Sequence, residues 1–338
     1  MNAELKAFLS DAIGSDNFRV LQLAGDASAR RYYRINSVIN SADRTWVLMS
    51  WEPFKAAEYP FLSVHSLFKN CGIKVPEVVG VCEKRGLILL EDLGDLTLER
   101  KFWENQNFEV VLPYYRQSLD ELLKIHFKTM DYKPESTAHR LQFDTDKFMW
   151  EFNYTREHLI EKMAQVHLPE EQKKSLQANF LHISERLHAE PKWITHRDYH
   201  SRNLMIKFDE IRVIDFQDAR GGPIQYDLVS LLRDSYVNLS DQQVEGLLEY
   251  FWERARNQIG KDASKEKFLL YFELQTVQRC FKACGSFASF WNSRQDIRYL
   301  KHIQPTLKRV QKALYHFPEY IDFANFIMDS GLTEKKYE

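Results

Sequence analysis

With 338 residues, 44% of them hydrophobic, the chain is long enough to bury a sizeable core and reads as two lobes rather than one. Its 46 basic and 48 acidic residues leave a net charge of -2, so no bulk charge marks nucleic acid or a membrane surface as a partner. Only 12 glycines and 10 prolines argue against a disordered or all-β chain, and no apolar run approaches the length of a membrane span.

The opening MNAELKAFLSDAIG has helical periodicity and acidic residues, without the basic start and long apolar core of a secretory signal, so a cytoplasmic protein is expected. FRVLQLA and ARRYYRI alternate as strands around the small-residue turn AGDAS, and RTWVLMSW is a third strand. PFKAAEYPFLSVHSLFKNCG then has helical spacing closed by Gly72, and PEVVGVCE and GLILLED bring the strands to five. LGD reads as a hinge. Beyond it helical periodicity covers Phe108 to Thr129, Asp146 to Val166, Glu170 to His188, Gln225 to Asn238 and four later stretches; NLMIKF and IRVID are the strand-like pieces there. This order predicts an α+β fold with a small N-terminal lobe, residues 1–93, built on a five-stranded antiparallel sheet, and a larger, mostly helical lobe, residues 94–338. Cys71 and Cys82 stand alone, and Cys280 and Cys284 are one helical turn apart without CxxC pairs or His partners, so reduced thiols are expected and zinc is not.

The chemistry concentrates between Trp193 and Ala219. In HRDYHSRN, Asp198 precedes Asn203 by five residues, the spacing of a kinase catalytic loop. There the aspartate accepts the proton of the attacking hydroxyl and the asparagine oxygen binds a Mg2+ ion on the ATP phosphates. The strand IRVID delivers a second ligand, Asp215, in IDFQDA. The other reading, a polar turn capping its own backbone, does not account for loop, strand and second aspartate in this order.

These segments resemble the aminoglycoside phosphotransferase superfamily, small-molecule kinases with a bilobal protein-kinase-like fold. The resemblance rests on GDASARRYYRI, LILLEDLGD, HRDYHSRNLMI, IDFQDARGGPIQYDLVSLLRDSY and QRCFKACGSFA, which span most of the chain. Within it, the sequence is similar to bacterial kinases acting on the anomeric hydroxyl of N-acetylmuramate and N-acetylglucosamine in cell-wall recycling. The resemblance implies that Gly25, Asp26, Ala27 and Ser28 cover the ATP phosphates with backbone N–H groups, although GDAS alone is also a plain hairpin turn. Adenine would lie against the backbone near Glu91 and Leu93. WVLMS leaves Met49 or Ser50 where protein kinases place a phosphate-binding lysine, and Arg30 or Arg31 is the nearest replacement. Alternation lets one of the two face the cleft, and Arg30 is our choice; solvent-facing arginines on an edge strand are the other reading.

Asp227 is expected to hold the catalytic loop from below and His196 to orient it. Asp218 would approach the cleft or serve a turn. His200 and Arg202 would contact the transferred phosphate or face solvent. Arg233, Arg279 and Lys282 are the candidates for acceptor binding; Arg279 and Lys282 share a helix face that could receive a carboxylate or simply be solvated. The C-terminal helices carry no acidic excess, which favours a neutral or anionic sugar over a polycation. The expectation is an enzyme, an ATP- and Mg2+-dependent kinase of a small sugar with no obligate protein partner. A kinase of an aminoglycoside or amino alcohol is one rival, and a non-catalytic nucleotide-binding regulatory protein is another.

Overall fold

Period-two alternation in the first third of the chain builds one antiparallel sheet, seen in a computed structural model that describes residues 3–23, 30–105, 107–261 and 263–337. Its strands are β1 (Phe18–Gln22), β2 (Arg31–Ile39), β3 (Ala42–Ser50), β4 (Val78–Cys82) and β5 (Leu87–Glu91), in the spatial order β1-β2-β3-β5-β4. Alternate residues divide between two cores. Leu48, Ile35, Leu87 and Leu89 meet Leu9 and Ile13 of α1 (Ala3–Ile13), whereas Met49, Ile88 and Leu90 join the main core with α2 (Pro60–Asn70).

The second helix is shorter than its periodicity suggests. Pro60 has no N–H and its ring would collide with a helical carbonyl four residues back, so it sits at the first position of α2, and only Ala56–Glu58 coil ahead of it, as a short 3-10 turn. Gly72 closes α2 at φ +74°, as expected.

The larger lobe holds α3 (Leu98–Trp103), α4 (Phe108–Lys128), α5 (Thr137–Arg140), α6 (Thr145–Thr155), α7 (Glu170–Ala189), α8 (Gln225–Leu232), α9 (Asp241–Ile259), α10 (Lys265–Arg294), α11 (Ile303–Leu314) and α12 (Ile321–Asp329). After α6 the chain runs on as a wider π-helical segment to Met163. Two short strand pairs lie among the helices. The hairpin of β7 (Leu204–Lys207) and β8 (Glu210–Val213) was expected; the pairing of β6 (Trp193–Thr195) with β9 (Arg220–Gly222) was not, because three-residue strands, one containing two glycines, show no alternation. The helix expected from Gln225 to Asn238 stops at Leu232. Asp234 turns its carboxylate back to accept the Tyr236 N–H and the Ser201 N–H, and the chain leaves the helix there.

Helix α10 is the long buried beam of this lobe, packed against α6, α8 and α11. Its crossing with α6 depends on Gly285: a Cβ there would lie 2.3 Å from the Thr155 hydroxyl and 2.6 Å from the Thr155 Cα. Thr155 in turn donates to the Phe281 carbonyl, 3.0 Å away. The exchange Gly285→Ala is therefore expected to destabilise the protein by about 1–3 kcal/mol through overpacking. Gly246→Ala on α9, where nothing lies within 4 Å of the added carbon, should instead stabilise by roughly 0.5–1 kcal/mol. Urea denaturation of the two variants beside the parent protein checks both signs.

Candidate active site

The loop from His196 to Asn203 has almost no regular structure, yet nearly every residue in it is tied to a neighbouring element. Asp227, fully buried in the first turn of α8, accepts the backbone N–H groups of His196 at 2.6 Å and Arg197 at 2.9 Å. The second of these bonds holds Arg197 at φ +82°, a conformation that costs a non-glycine residue about 1–3 kcal/mol. The His196 ring donates to the Ile214 carbonyl across the floor of the cleft. Tyr199 donates its hydroxyl to Ser118 in α4, and Ser201 donates its N–H and hydroxyl to Asp234. Arg202 forks onto Glu99 of α3 at 2.8 and 3.0 Å, with its guanidinium 3.6 Å from the centre of the Tyr236 ring. Asn203 donates its amide to the Asp198 carbonyl at 2.9 Å.

What the loop presents to the cleft is the Asp198 carboxylate, which retains 28% of its exposure. It faces two cations from α10, Arg279 at 3.3 Å and Lys282 at 3.6 Å. Burial would raise the Asp198 pKa, but Lys282, Arg197 and Arg279 outweigh it and hold the carboxyl well below its ordinary range. Burial acts the other way on Lys282, pushing it down to about 8 against the pull of Asp198. Burial also lowers His200 to about 3, so this ring, set edge-on to Tyr236, is neutral.

The second acidic arm follows β8. Asp215 adopts φ +63°, and its carboxylate takes a hydrogen bond from Gln217 at 2.8 Å and a longer one from the Asn203 amide at 3.4 Å. The Asn203 amide group and the Asp215 carboxylate thus stand side by side, and between them they carry the oxygen donors a magnesium ion takes when phosphates and water complete its shell. No cluster of three or more His, Cys, Asp or Glu side chains suited to a metal occurs among the described residues. Phe216, next in sequence, is fully buried against Phe61, His65 and Phe68 of α2, which fastens this arm to the smaller lobe.

Of the residues expected near a nucleotide, Gly25, Asp26, Ala27 and Ser28 lie outside the described residues. Arg31 is exposed while Arg30 turns inward, hydrogen-bonded to Tyr32; although burial opposes its charge, Tyr32, Tyr59 and Asp215 raise its pKa further. The β2–β3 register pairs Tyr32 with Met49, which is fully buried, and α2 offers no carboxylate on any face. The lysine and glutamate that form an ion pair in protein kinases are thus both absent. Glu91 and Leu93 line the cleft. Their segment is held from both lobes: Arg34 of β2 forks onto Asp92 and Asp95, and Lys207 of β7 reaches the Glu91 carboxylate and the Asp92 carbonyl.

Beyond Asp198 the site opens into a cleft of about 840 Å³. Residues Arg279, Lys282, Ala283, Ser286, Phe287 and Phe290 of α10 line it at intervals of three and four, cationic near Asp198 and apolar further out, and Tyr236 and Tyr299 stand beside them. Sequence reasoning found the two cations and missed the aromatic wall. A 30-residue helix buried on most sides shows no single apolar face from which that wall could be picked out. Arg233 also reaches the cleft, with its guanidinium paired to Asp241 and Glu273. Asp218 pairs with Arg197 at 3.3 Å. Asp234 was another omission, identifiable only once α8 is known to end before it.

Comparison with known proteins agrees with this geometry. Residues 19–258 match the model of the phosphotransferase enzyme family, described as APH. The chain is 29% identical over 317 residues to an N-acetylmuramate/N-acetylglucosamine kinase of Neisseria meningitidis serogroup B, covering 94% of this chain and 92% of that one. It is 28% identical to the protein of the same name from Pseudomonas putida, over 90% of this chain and 86% of its relative. In fold it resembles a choline kinase from Streptococcus pneumoniae (TM-score 0.58, 14% identity, 93% and 100% coverage). It also resembles an ADP-bound aminoglycoside phosphotransferase (TM-score 0.52, 18% identity, 91% and 98% coverage).

Two outcomes are expected. Asp227→Asn replaces one of two acceptor oxygens with a donor facing a backbone N–H, and should cost about 1.5–3 kcal/mol in urea denaturation together with most of the turnover. Because the folded-state pKa of Asp198 is depressed, its ion pairs stabilise fully above the unfolded value near 4. That contribution is lost only as the pH falls toward the depressed value, so Asp198→Asn should narrow its stability gap to the parent protein in strongly acidic buffer and not between about pH 5 and 6.

Proposed function

Because the chain belongs to the phosphotransferase enzyme family, we propose that it transfers the γ-phosphoryl group of ATP to the anomeric hydroxyl of an N-acetylated amino sugar, N-acetylmuramate or N-acetylglucosamine. The observation that carries this reading is the convergence of Asp198, Asn203 and Asp215 at the floor of the cleft, the first two on a loop anchored from three helices and from the turn after α8. The sugar is supported by two relatives of that activity aligned over nine-tenths of the chain. Charge supports it too. With Arg279 and Lys282 beside Asp198, a cationic acceptor such as choline or an aminoglycoside would bring like charges together, whereas a neutral or carboxylate-bearing sugar would not.

In this reading Asp198 orients the acceptor hydroxyl and takes its proton, an adequate base because an anomeric hydroxyl is more acidic than an ordinary alcohol. Asn203 and Asp215 would hold magnesium, which supplies charge neutralisation at the phosphates when bound. Arg30 stands in for the missing third-strand lysine, and the turn Gly25 to Ser28 covers the phosphates. Adenine lies against the backbone of Glu91 and Leu93. The nucleotide lobe is residues 1–93 and the acceptor lobe residues 94–338. Arg202 braces the loop through Glu99 rather than touching the substrate. A cytoplasmic enzyme of peptidoglycan recycling follows from the proposed substrates. Most of the rate would come from positioning and electrostatics.

Incubation with radiolabelled ATP and each sugar should give an acid-labile sugar 1-phosphate, with Asp198→Asn and Asp215→Ala both slower by at least about a hundredfold. Sugar phosphate formed equally by parent and Asp198→Asn, or none from either sugar, would overturn the reading.

A further inference from the structure

Five basic side chains stand around the Asp198 carboxylate or along its loop; three are already committed in space and a fourth is neutral. Arg197 pairs with Asp218 at 3.3 Å. Arg202 forks onto Glu99 and stacks on Tyr236. Arg279 donates one N–H to the Ser230 hydroxyl at 3.0 Å and another to Asp198, with its guanidinium over the Tyr226 ring. His200, two residues beyond Asp198, is buried and neutral.

Lys282 differs. Its ammonium carries three donors, and among the described residues its paired carboxylate is Asp198 alone, 3.6 Å away. The side chain keeps 13% exposure, directed into the cleft that it lines. It comes from a helix whose position is fixed by the close crossing at Gly285, so the stem that carries the charge starts from a fixed point beside Asp198. A donor so placed can touch both the acceptor oxygen that Asp198 orients and the group arriving at that oxygen.

We propose that Lys282 is a catalytic residue of the transfer step, donating to the phosphoryl group as it moves onto the acceptor oxygen. This rests on the kinase reading above. In the step, the acceptor oxygen bonds to the γ-phosphorus while the bond from that phosphorus to the bridging oxygen breaks, and ADP departs with the electron pair. The hydroxyl proton passes to Asp198. Lys282 makes and breaks no covalent bond and keeps its three protons. Its task is to meet negative charge spread over the phosphoryl oxygens, where a buried ammonium acts more strongly than one in water. Recognition of an acceptor carboxylate is the competing role for this side chain.

The decisive experiment compares Lys282→Met and Lys282→Arg with the parent enzyme, first by kcat and KM. For Lys282→Met, kcat should fall by on the order of a hundredfold while KM for sugar and ATP stays within about threefold, with partial recovery in Lys282→Arg. A change confined to the KM of N-acetylmuramate, with N-acetylglucosamine unaffected, would overturn the proposal in favour of carboxylate recognition. So would an unchanged kcat. To separate direct contact from positioning of Asp198, binding of ADP with magnesium and aluminium fluoride, a mimic of the transferring phosphoryl group, is measured in the parent and Asp198→Asn backgrounds. Lys282→Met should weaken that binding at least tenfold in both, leaving ADP binding alone unchanged; a loss that disappears in Asp198→Asn would overturn it. This arm needs no acceptor, so it stands if the sugar reading falls, and failure of the sugar reading shows separately as a parent enzyme that phosphorylates neither sugar.

Discussion

The active site depends on buried carboxylates that hold a loop unable to hold itself. Between β6 and β7 the backbone has few partners of its own, and Arg197 sits in a left-handed conformation that an unrestrained chain would leave. Asp227 fixes the entrance of the loop through two backbone N–H groups and Asp234 fixes its middle through Ser201. Both are fully or nearly buried, where each hydrogen bond to a carboxylate is stronger and an unmade one costs more. They come from the start of α8 and from the turn just beyond its end, so a single short helix, bracketed by two aspartates, sets where Asp198 and Asn203 stand.

The same arrangement sets the character of the proposed base. Cations that fix the Asp198 carboxylate also hold its pKa well below the usual range, which makes it a weak proton acceptor. A weak base suffices when the proton leaves late, after bond formation to phosphorus has made the acceptor oxygen more acidic. The balance between orientation and proton affinity is tilted toward orientation, in keeping with a reaction whose barrier is lowered mainly by alignment and neutralisation.

Much of this was legible in the sequence because the chemistry is local. Asp198, Asn203 and Asp215 lie within one short stretch, and strand alternation was enough to expect five antiparallel strands and to let only one of Arg30 and Arg31 face inward. Elements whose limits are set by distant partners were not legible. The stop of α8 at Leu232 depends on Asp234 reaching Ser201, and the β6–β9 pair on two segments too short to show a pattern. Arg202 gave no sign in the sequence that Glu99, about a hundred residues earlier, would take its charge. The aromatic wall on α10 was hidden for a related reason: a helix buried on most sides has no polar face against which a cleft-lining stripe stands out.

Met49 and the carboxylate-free α2 carry a consequence for control. Where a lysine and a glutamate join across this seam, the helix can swing away when another partner claims either charge, and activity can be switched by that exchange. Here the seam is apolar, with Met49 buried in the same core as Phe61, Val64, Leu67 and Phe68, and Phe216 packed beneath. Packed hydrocarbon offers no alternative partner to exchange and no charge for a modifying phosphate to attract. Among the described residues such a catalyst has no lysine–glutamate latch at this seam, so its output would follow the supply of its substrates and the amount of protein made.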